Sequence, residues 1–478
     1  MQRTEKFRIY QSIHKSHWDG IAQQLDHWNG WGGYYRNRLR RIYQFHIPPA
    51  MNVLEIGCAR GDLLASLKPI RGVGIDLSSE MIKRANQRHP NLVFMQGDIH
   101  KIELDEKFDY IILSDLINDL WDVEAVFHKI YKWSKPSTRI ILNYYNRLWE
   151  WPLALAQKLR LAQRTLPQNW LSVDDVNNLL YLGGFEVIRE WEEVLSPLPI
   201  PLLSAFCNRF LVRLWLFRSL AMTAFTLARP IPSISEHASE TGVSVVVPAR
   251  NEEGNIKQIF ERVPQMGSGT ELIFVEGHSQ DNTYEAIQQE MRNHPEVNAK
   301  LFRQEGKGKG DAVRLGFANA SGGILMILDA DLTVPPEDLP RFYQAIQSGR
   351  GDFINGVRLV YPMEKQAMRF LNYIGNKIFS LLFSFLLDQP IKDTLCGTKV
   401  LWQKDYERIA SNRPYFGDFD PFGDFDLLFG AAKLNLKIVD LPIRYEERTY
   451  GTTNIQRWKH GWLLLKMVLF AARRIKFI

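Results

Sequence analysis

Short apolar runs that stop at a carboxylate or a glycine recur along this chain, and they constrain its fold more than any other feature. The sharpest is ILMILDADLTVPP, Ile324 to Pro336, where a run that reads as a buried strand ends abruptly in Asp329-Ala330-Asp331. VLEIG (Val53–Gly57), GVGID (Gly72–Asp76), FMQGD (Phe94–Asp98) and FDYIILSD (Phe108–Asp115) are built alike, and RIILNYY (Arg139–Tyr145) follows them. Separated by helix-like segments, such runs predict βαβ units and a parallel sheet. Their polar ends then gather at the carboxyl edge of the sheet, where open α/β folds bind ligands. Two carboxylates as close as Asp329 and Asp331 repel each other and are costly to bury. An open crevice holding Mg²⁺ or Mn²⁺, completed by substrate phosphates, resolves both problems. An acidic turn after a strand is the plainer alternative for the tripeptide taken alone.

At 478 residues the chain exceeds one ordinary core, so two or three domains are expected. A hydrophobic content of 45% and an aromatic content of 12% can fill those cores, which excludes a disordered chain. The formal charge of +6 suits anionic lipid or phosphorylated ligands, and no nucleic-acid partner is expected. Cys58, Cys207 and Cys396 lie far apart with no CxxC spacing, so neither a disulfide framework nor a zinc site is expected. MQRTEKFRIYQSIHK lacks a signal-peptide core, and no apolar stretch reaches the ~18–20 residues of a spanning helix. The expected location is the cytoplasm, peripheral on the cytoplasmic face of the membrane.

In the first half, Gly57 and Gly61 let backbone approach a ligand at a helix N-terminus. Asp76 can accept from both hydroxyls of a ribose, and Asp98 stands where an adenine amino group can be bonded. On residue chemistry alone a nicotinamide dinucleotide explains much of this as well as an adenosyl cofactor. VLEIGCARGDLL, GVGIDLSSEMIKRA, QGDI and FDYIILSDLINDL, in that order, resemble the motifs of class I S-adenosylmethionine-dependent methyltransferases. The resemblance runs from about Trp18 to about Val194 and includes WLSVDDVNNLLYLGGFEVI. It implies S-adenosyl-L-methionine as cofactor, with Glu55, Gly57, Gly61, Asp76 and Asp98 as its contacts. Ala59 departs from the family, which often has glycine there. His17, His27, Tyr34, Tyr35, Asp119, Tyr144 and Tyr145 are candidates to line a methyl-acceptor pocket, and no acceptor is named.

The middle of the chain is broken twice, at SPLPIPLL (Ser196–Leu203) and at ARPIPSISEHASETG (Ala228–Gly242). Between them Arg209, Arg213 and Arg218 recur among Phe, Leu and Trp at a spacing that keeps them broadly on one side of a helix. Such a segment reads either as a helix lying in a bilayer interface or as a helical hairpin between domains.

The second half opens with VSVVVPARNEEGNI and repeats the design in LIFVEGHSQDNTYEAI, with Ser279 or Asp281 suited to capping the next helix. EGKGKGDAVRLGFANASG is a glycine-lysine loop but not a G-x-x-x-x-G-K-[ST] phosphate loop, so Lys307 and Lys309 are either phosphate contacts or, more commonly for such loops, solvated lysines. With the Asp329-Ala330-Asp331 strand, this order resembles family 2 glycosyltransferases of the A-type fold, especially polyprenyl- and dolichyl-phosphate sugar transferases. The resemblance spans Val243 to about Asn454. It implies that Pro248, Ala249, Glu252, Glu276, Asp329, Ala330, Asp331 and Arg369 bind a nucleotide-diphospho-sugar donor. By the same resemblance Asp329 and Asp331 are expected to hold the metal, and Asp331, Asp393, Asp424, Arg358 and Arg448 to act in catalysis. Arg369 and Asn376 meet a lipid phosphate, and Arg448 with Gly451 belongs to a loop closing over the donor. Glu276 stands where aspartate is usual, and Thr453-Asn454 where the family often has Ser-Lys.

The expected fold class is therefore α/β, two Rossmann-like three-layer domains joined by a helical linker. The expected boundaries are a methyltransferase-like domain at 1–195, a linker at 196–241, a glycosyltransferase domain at 242–456 and a basic amphipathic tail at 457–478. The expected function is bifunctional. Metal-dependent, inverting sugar transfer to a polyprenyl phosphate or glycolipid is joined to methyl transfer, in cell-surface glycan or glycolipid synthesis. A glycosyltransferase with a non-catalytic cofactor-binding domain, and a membrane-associated scaffold, are the rival readings. AMRFLNYIGNKIFSLLFSFLLD (Ala367–Asp388) and GWLLLKMVLFAARRIKFI (Gly461–Ile478) are composed for a headgroup layer, so a membrane surface is an expected partner.

Overall fold

A computed structural model describes residues 2–25, 32–159, 165–232, 241–361, 370–415, 424–448, 450 and 457–477. The chain divides into two compact units, Met1–Ile231 and Pro232–Phe477. Each is an α/β unit around a sheet of 7 strands.

The first unit begins with helices α1 (Gln2–Leu25) and α2 (Gly32–His46). Then come β1 (Asn52–Ile56), α3 (Asp62–Ser66), β2 (Arg71–Asp76), α4 (Ser79–Arg88), β3 (Val93–Gln96) and β4 (Phe108–Ser114). They are followed by α5 (Val123–Lys132), β5 (Ser134–Tyr145), α6 (Glu150–Lys158), α7 (Val173–Leu182) and β6 (Phe185–Glu193). The short helices α8 (Leu203–Arg209) and α9 (Trp215–Arg218) lead into β7 (Thr223–Pro230). The strand order is β3-β2-β1-β4-β5-β7-β6. Strands β1 to β5 are parallel, and β7 lies antiparallel to both of its neighbours. Helix starts follow their capping chemistry: Ser78 Oγ accepts from Met81 N, Asp122 from Ala125 N, and Ser172 with Asp175 forms a capping box.

The segment 196–241, expected as a linker, contains short helices as its composition suggests but also supplies β7 to the interior of this sheet. All eight residues of β7 are buried, so this strand belongs to the first unit. The basic stripe expected of Arg209, Arg213 and Arg218 does not form either. The segment breaks after α8 into the turn Leu211–Arg213, and Arg213 turns inward onto Glu193, which also takes Arg38 Nη2 at 2.9 Å. Arg218 is paired with Glu192 at the surface. A buried carboxylate demands cations, and this demand outcompetes an outward helical face.

The second unit runs β8 (Val243–Ala249), α10 (Ile256–Arg262), β9 (Thr270–Glu276), α11 (Thr283–Asn293), β10 (Asn298–Arg303) and α12 (Lys309–Ala318). It continues with β11 (Ile324–Ile327), α13 (Leu339–Gln347), β12 (Phe353–Val357), α14 (Phe370–Leu387), β13 (Lys399–Trp402), α15 (Gln403–Ser411) and α16 (Asp424–Lys433). Strand β14 (Ile438–Pro442) and helix α17 (Arg457–Ala471) complete it. The strand order is β10-β9-β8-β11-β13-β12-β14, with β13 antiparallel to β11 and β12. Val245, Val247, Phe274, Met326 and Leu328 fill the core beside β8, β9 and β11. The expected tail is part of this unit: α17 contacts α14, and the buried Lys476 pairs with Asp388.

The inward turn of Arg213 has a measurable consequence. Arg213→Ala leaves Glu193 buried with one cation fewer and is expected to cost about 3 kcal/mol in urea unfolding. Arg218→Ala, at the surface, is expected to cost less than about 1 kcal/mol.

Candidate active sites

At the carboxyl edge of the first sheet lies a cavity of about 460 Å³. It is lined by the ends of β1 to β4: Glu55 and Gly57, then Asp76, Asp98 and Asp115. The sequence-predicted Glu55, Gly57, Asp76 and Asp98 are thus brought together, as an edge of parallel strands requires. Gly61 is not on the wall. It precedes α3 with φ +72°, and a Cβ there would stand 2.4 Å from the Phe94 ring, so a glycine is what fits there.

The carboxylates on this wall are each held by donors. Asp76 Oδ2 accepts from Ala59 N and Oδ1 from Ser78 N, both at 2.8 Å. Ala59 reaches that position with φ +46°, which explains why glycine suits the site better. Glu55 Oε2 accepts from Leu64 N at 3.0 Å, at the first turn of α3. Burial pushes Glu55 up to about 8 and Asp76 up to about 6, against these backbone hydrogen bonds. Asp98 accepts from His100 N at 2.9 Å and His100 Nδ1 at 2.8 Å, and also from Gln11 of α1. Those bonds hold its carboxyl below the usual range despite burial.

Helix α1 closes one side with Tyr10, His14 and Trp18. All three bind Asp119: Trp18 Nε1 donates to Oδ2 at 2.9 Å, His14 Nε2 lies 3.2 Å from Oδ1, and Tyr10 donates to the carbonyl. Asp119 is therefore a wall residue, as the sequence suggested. His17 lies on α1 with its pKa lowered by burial, and His27 lies outside the described residues. Asp115, absent from the sequence-derived candidates, is the clearest omission. Its signal was its place at the end of FDYIILSD, the same rule that located Asp76.

In the second unit, Asp329 and Asp331 follow β11 and meet two cations. Lys309 Nζ, at the start of α12, lies 2.5 Å from Asp329 Oδ1. Arg448 Nη2 donates to Asp331 Oδ2 at 2.5 Å, and its Nη1 to Glu252 Oε1 at 3.1 Å. Burial alone would raise Asp329, but Lys309, then Arg358 and Lys399, hold it below the ordinary carboxylate range. Glu252 goes the other way, to about 7, because burial and the charges of Asp331 and Asp329 outweigh Arg448. A Cβ on Gly397 would stand 1.9 Å from Asp329 Oδ2, so the bare glycine backbone is what lets this carboxylate sit there.

A second cluster lies beside it. Arg358 donates to Asp393 through Nε at 2.8 Å and Nη2 at 3.0 Å, and Asn376 Nδ2 donates to Asp393 Oδ1 at 2.8 Å. Burial opposes ionisation of Asp393, yet Arg358 and Asn376 lower it to about 2. So anchored, it orients Arg358 and is no proton acceptor at neutral pH. Glu276 is likewise engaged, by Ser279 N at 2.5 Å and Arg303 Nε at 3.1 Å. Pro248 and Ala249 end β8, while Ala330 faces the core. Asp424 starts α16 and its side chain, like Arg369, Gly451 and Thr453-Asn454, lies outside the described residues. Of the two readings that the sequence left for Lys309, a phosphate contact or a solvated lysine, its pairing with Asp329 favours a place in the site.

The donor set around Asp329 and Asp331 is carboxylate oxygen with cations beside it, which fits Mg²⁺ or Mn²⁺. Among the described residues no group of three or more His, Cys, Asp or Glu forms a closed metal cage. An ion here would take its remaining ligands from water or a bound phosphate.

Glu55 yields a stability prediction. Because its folded-state pKa is raised from 4.5 to about 8, its contribution favours folding below pH 4.5 and is lost as pH rises through about 8. In calorimetric scans of the full chain, Glu55→Gln is expected to flatten the fall in Tm of the first unit over that window. Identical pH profiles for the two proteins would show that Glu55 is not buried as described.

Residues 244–410 match the family described as Glycosyl transferase family 2, and residues 47–191 match one described as Methyltransferase domain. A dolichol-phosphate mannosyltransferase of Pyrococcus furiosus is 28% identical over 247 residues, covering 49% of this chain and 67% of that protein. The hexosyltransferase Agl6 of low-salt glycan biosynthesis in Haloferax volcanii is 26% identical, covering 48% of this chain and 54% of its own. A dolichol-phosphate mannosyltransferase of Saccharomyces cerevisiae is 38% identical over 109 residues, covering 22% of this chain and 40% of that protein. The chain thus spans between 40% and 67% of the length of these relatives. Among solved structures, an S-adenosylmethionine dependent methyltransferase from Mesorhizobium loti is 17% identical at a TM-score of 0.31, covering 40% of this chain and 96% of its own. Residues 47–191, in the first unit, thus form a methyltransferase domain, and residues 244–410, in the second, a family 2 glycosyltransferase domain.

Proposed function

We propose that the second unit transfers a sugar from a nucleotide-diphospho-sugar to a polyprenyl phosphate or glycolipid, with inversion. We further propose that the first unit transfers a methyl group from S-adenosylmethionine. The observation that carries the first reading is the convergence of Asp329, Asp331 and Glu252 with Lys309 and Arg448 at one strand edge. The names of the relatives support the substrate classes, a dolichol phosphate and a hexose donor. For the methyl donor, the support is the cavity bounded by Gly57, Asp76 and Asp98.

Asp329 and Asp331 would hold a divalent ion, which would supply charge neutralisation for a leaving diphosphate. Arg448 and Lys309 place positive charge at the same edge, and Arg358 is aimed by Asp393 and Asn376. A phosphate monoester acceptor, with a second pKa near ~6, is already an anion at neutral pH and needs no base. Asp393 suits that chemistry because it is locked as a positioning carboxylate. In the first unit, Asp76 can take ribose hydroxyls on the oxygens that Ala59 and Ser78 already orient.

The assay is transfer of labelled sugar from a nucleotide-sugar panel to polyprenyl phosphate with Mg²⁺ or Mn²⁺. Chelation is expected to stop it, and Asp331→Asn to lower it by roughly 100-fold or more. Retained turnover in Asp331→Asn would place the reaction elsewhere.

A lipid acceptor calls for contact with the bilayer at the cytoplasmic face. No helix among the described residues is long and apolar enough to cross a membrane. Helices α14 and α17 pack together and contain no acidic residue. Ile374, Ile378, Leu381 and Phe385 share one exposed face of α14, and α17 exposes Trp462, Leu465 and Leu469. Lys377 lies near Tyr373 and Lys466 near Trp462, an arrangement that suits a headgroup layer. The doubly substituted Leu381→Asp, Trp462→Asp protein is expected to float less with anionic liposomes than wild type. Equal flotation would remove this face from the membrane contact.

A further inference from the structure

Both side-chain hydrogen bonds to the Asp115 carboxylate, on the cavity wall, end on a single oxygen. Tyr35 Oη donates to its Oδ1 at 2.8 Å and Asn143 Nδ2 to the same atom at 2.5 Å. Its Oδ2 accepts no hydrogen bond among the described residues, and the residue lines the cavity. Asp115 sits one residue past β4, with φ +52°, an uncommon conformation outside glycine. In the strand order β3-β2-β1-β4-β5, the turn of direction falls between β1 and β4, where open α/β sheets form their ligand crevice. Asp76 and Asp98 lie on one side of that crevice and Asp115 on the other.

The carboxylate is aimed by residues behind the wall. Asn143 Oδ1 accepts from Tyr43 Oη at 2.7 Å and from Ser114 Oγ at 2.9 Å. Two donors on that oxygen fix the amide so that Nδ2 faces Asp115. Tyr35 Oη lies 3.2 Å from Thr223 Oγ1, on the strand that the middle segment inserts into this sheet. Such a fully bonded set holds a side chain in one geometry and leaves it one open function.

Resting on the methyltransferase reading of this cavity, we propose that Asp115 is the proton acceptor of methyl transfer and that the methyl acceptor is a hydroxyl group. As the acceptor oxygen forms its bond to the methyl carbon, the methyl–sulfur bond breaks with its electron pair left on sulfur. The hydroxyl proton passes to Oδ2 of Asp115 and leaves later to water. An anionic acceptor needs no base and is repelled by this carboxylate. A cationic acceptor would want a second free carboxylate, but Asp119 is held by Trp18 and His14 and Asp98 by His100 and Gln11.

The titratable groups facing Asp115 are Tyr35 and Tyr43 from α2 and Tyr145 from β5, with Asp119 acting on Tyr145. Burial raises Asp115 to about 7, opposed by the bonds from Tyr35 and Asn143. A base in that range is about half ionised at neutral pH, gains function as pH rises and loses it as pH falls.

Three measurements on the full chain test the proposal. Calorimetry with S-adenosylmethionine is expected to show binding both to wild type and to Asp115→Asn; no binding to wild type would overturn the methyltransferase reading itself. Infrared titration of the ligand-free protein is expected to show a carboxyl titrating near 7 that Asp115→Asn removes. Labelled methyl transfer is then followed to methyl hexosides and a polyprenyl-phospho-hexose, with glucosamine and glucuronate as amine and carboxylate alternatives. Transfer to a hydroxyl acceptor is expected to drop by roughly 100-fold or more in Asp115→Asn. Tyr35→Phe is expected to move the acidic limb of the pH profile upward by about one unit, because a bond to the charged form is lost. Cofactor binding without transfer to any hydroxyl acceptor, transfer only to the amine or carboxylate, or full activity in Asp115→Asn would each overturn the assignment while leaving the cofactor reading intact.

Discussion

A buried carboxylate must find a donor or a cation, and a parallel sheet delivers many carboxylates to one edge. In both units of this chain that requirement organises what surrounds the strand ends. Glu55 is met by Leu64 N, Asp76 by Ala59 N and Ser78 N, and Asp115 by Tyr35 and Asn143. Asp329 is met by Lys309, Asp331 by Arg448, and Asp393 by Arg358. Glycine backbone at Gly397 and a left-handed residue at Ala59 are the local adjustments that let those partners approach.

The two units answer the requirement with different chemistry. In the first, neutral donors predominate, so burial wins and Glu55, Asp76 and Asp115 are pushed up to between about 6 and 8. Asp98 is the exception, because His100 lies against it. In the second, guanidinium and ammonium groups hold Asp329 and Asp393 down, whereas burial, with its acidic neighbours, raises Glu252. Carboxylates poised near neutrality suit proton transfer and hydroxyl recognition. Carboxylates locked in ion pairs suit a site that handles metal and phosphate charge, where groups must keep their charge and position.

The same pairing rule reshapes the middle segment. Glu193 is buried at the end of β6, and Arg38 and Arg213 converge on it. That drawing-in breaks the helical run and carries the chain back into the sheet as β7, which places Thr223 behind Tyr35. A stretch that composition describes as amphipathic helix thus comes to support a candidate active site from behind its wall.

By itself the sequence determined the two α/β sheets, the edge at which their polar residues gather, and the identity of most residues found there. These follow from local rules: apolar runs make buried strands, and a strand's polar end lies at the sheet's carboxyl edge. It also determined that Asp329 and Asp331 adjoin, whatever surrounds them. Only the tertiary structure decided who meets whom. It put Lys309 on Asp329 and Arg448 on both Asp331 and Glu252, across separations of about twenty to two hundred residues. It turned Arg213 inward, and it made Asp115 an aimed group. The physical reason is that a charge's partner, and so its pKa, depends on distance and burial in three dimensions, which spacing along the chain does not encode.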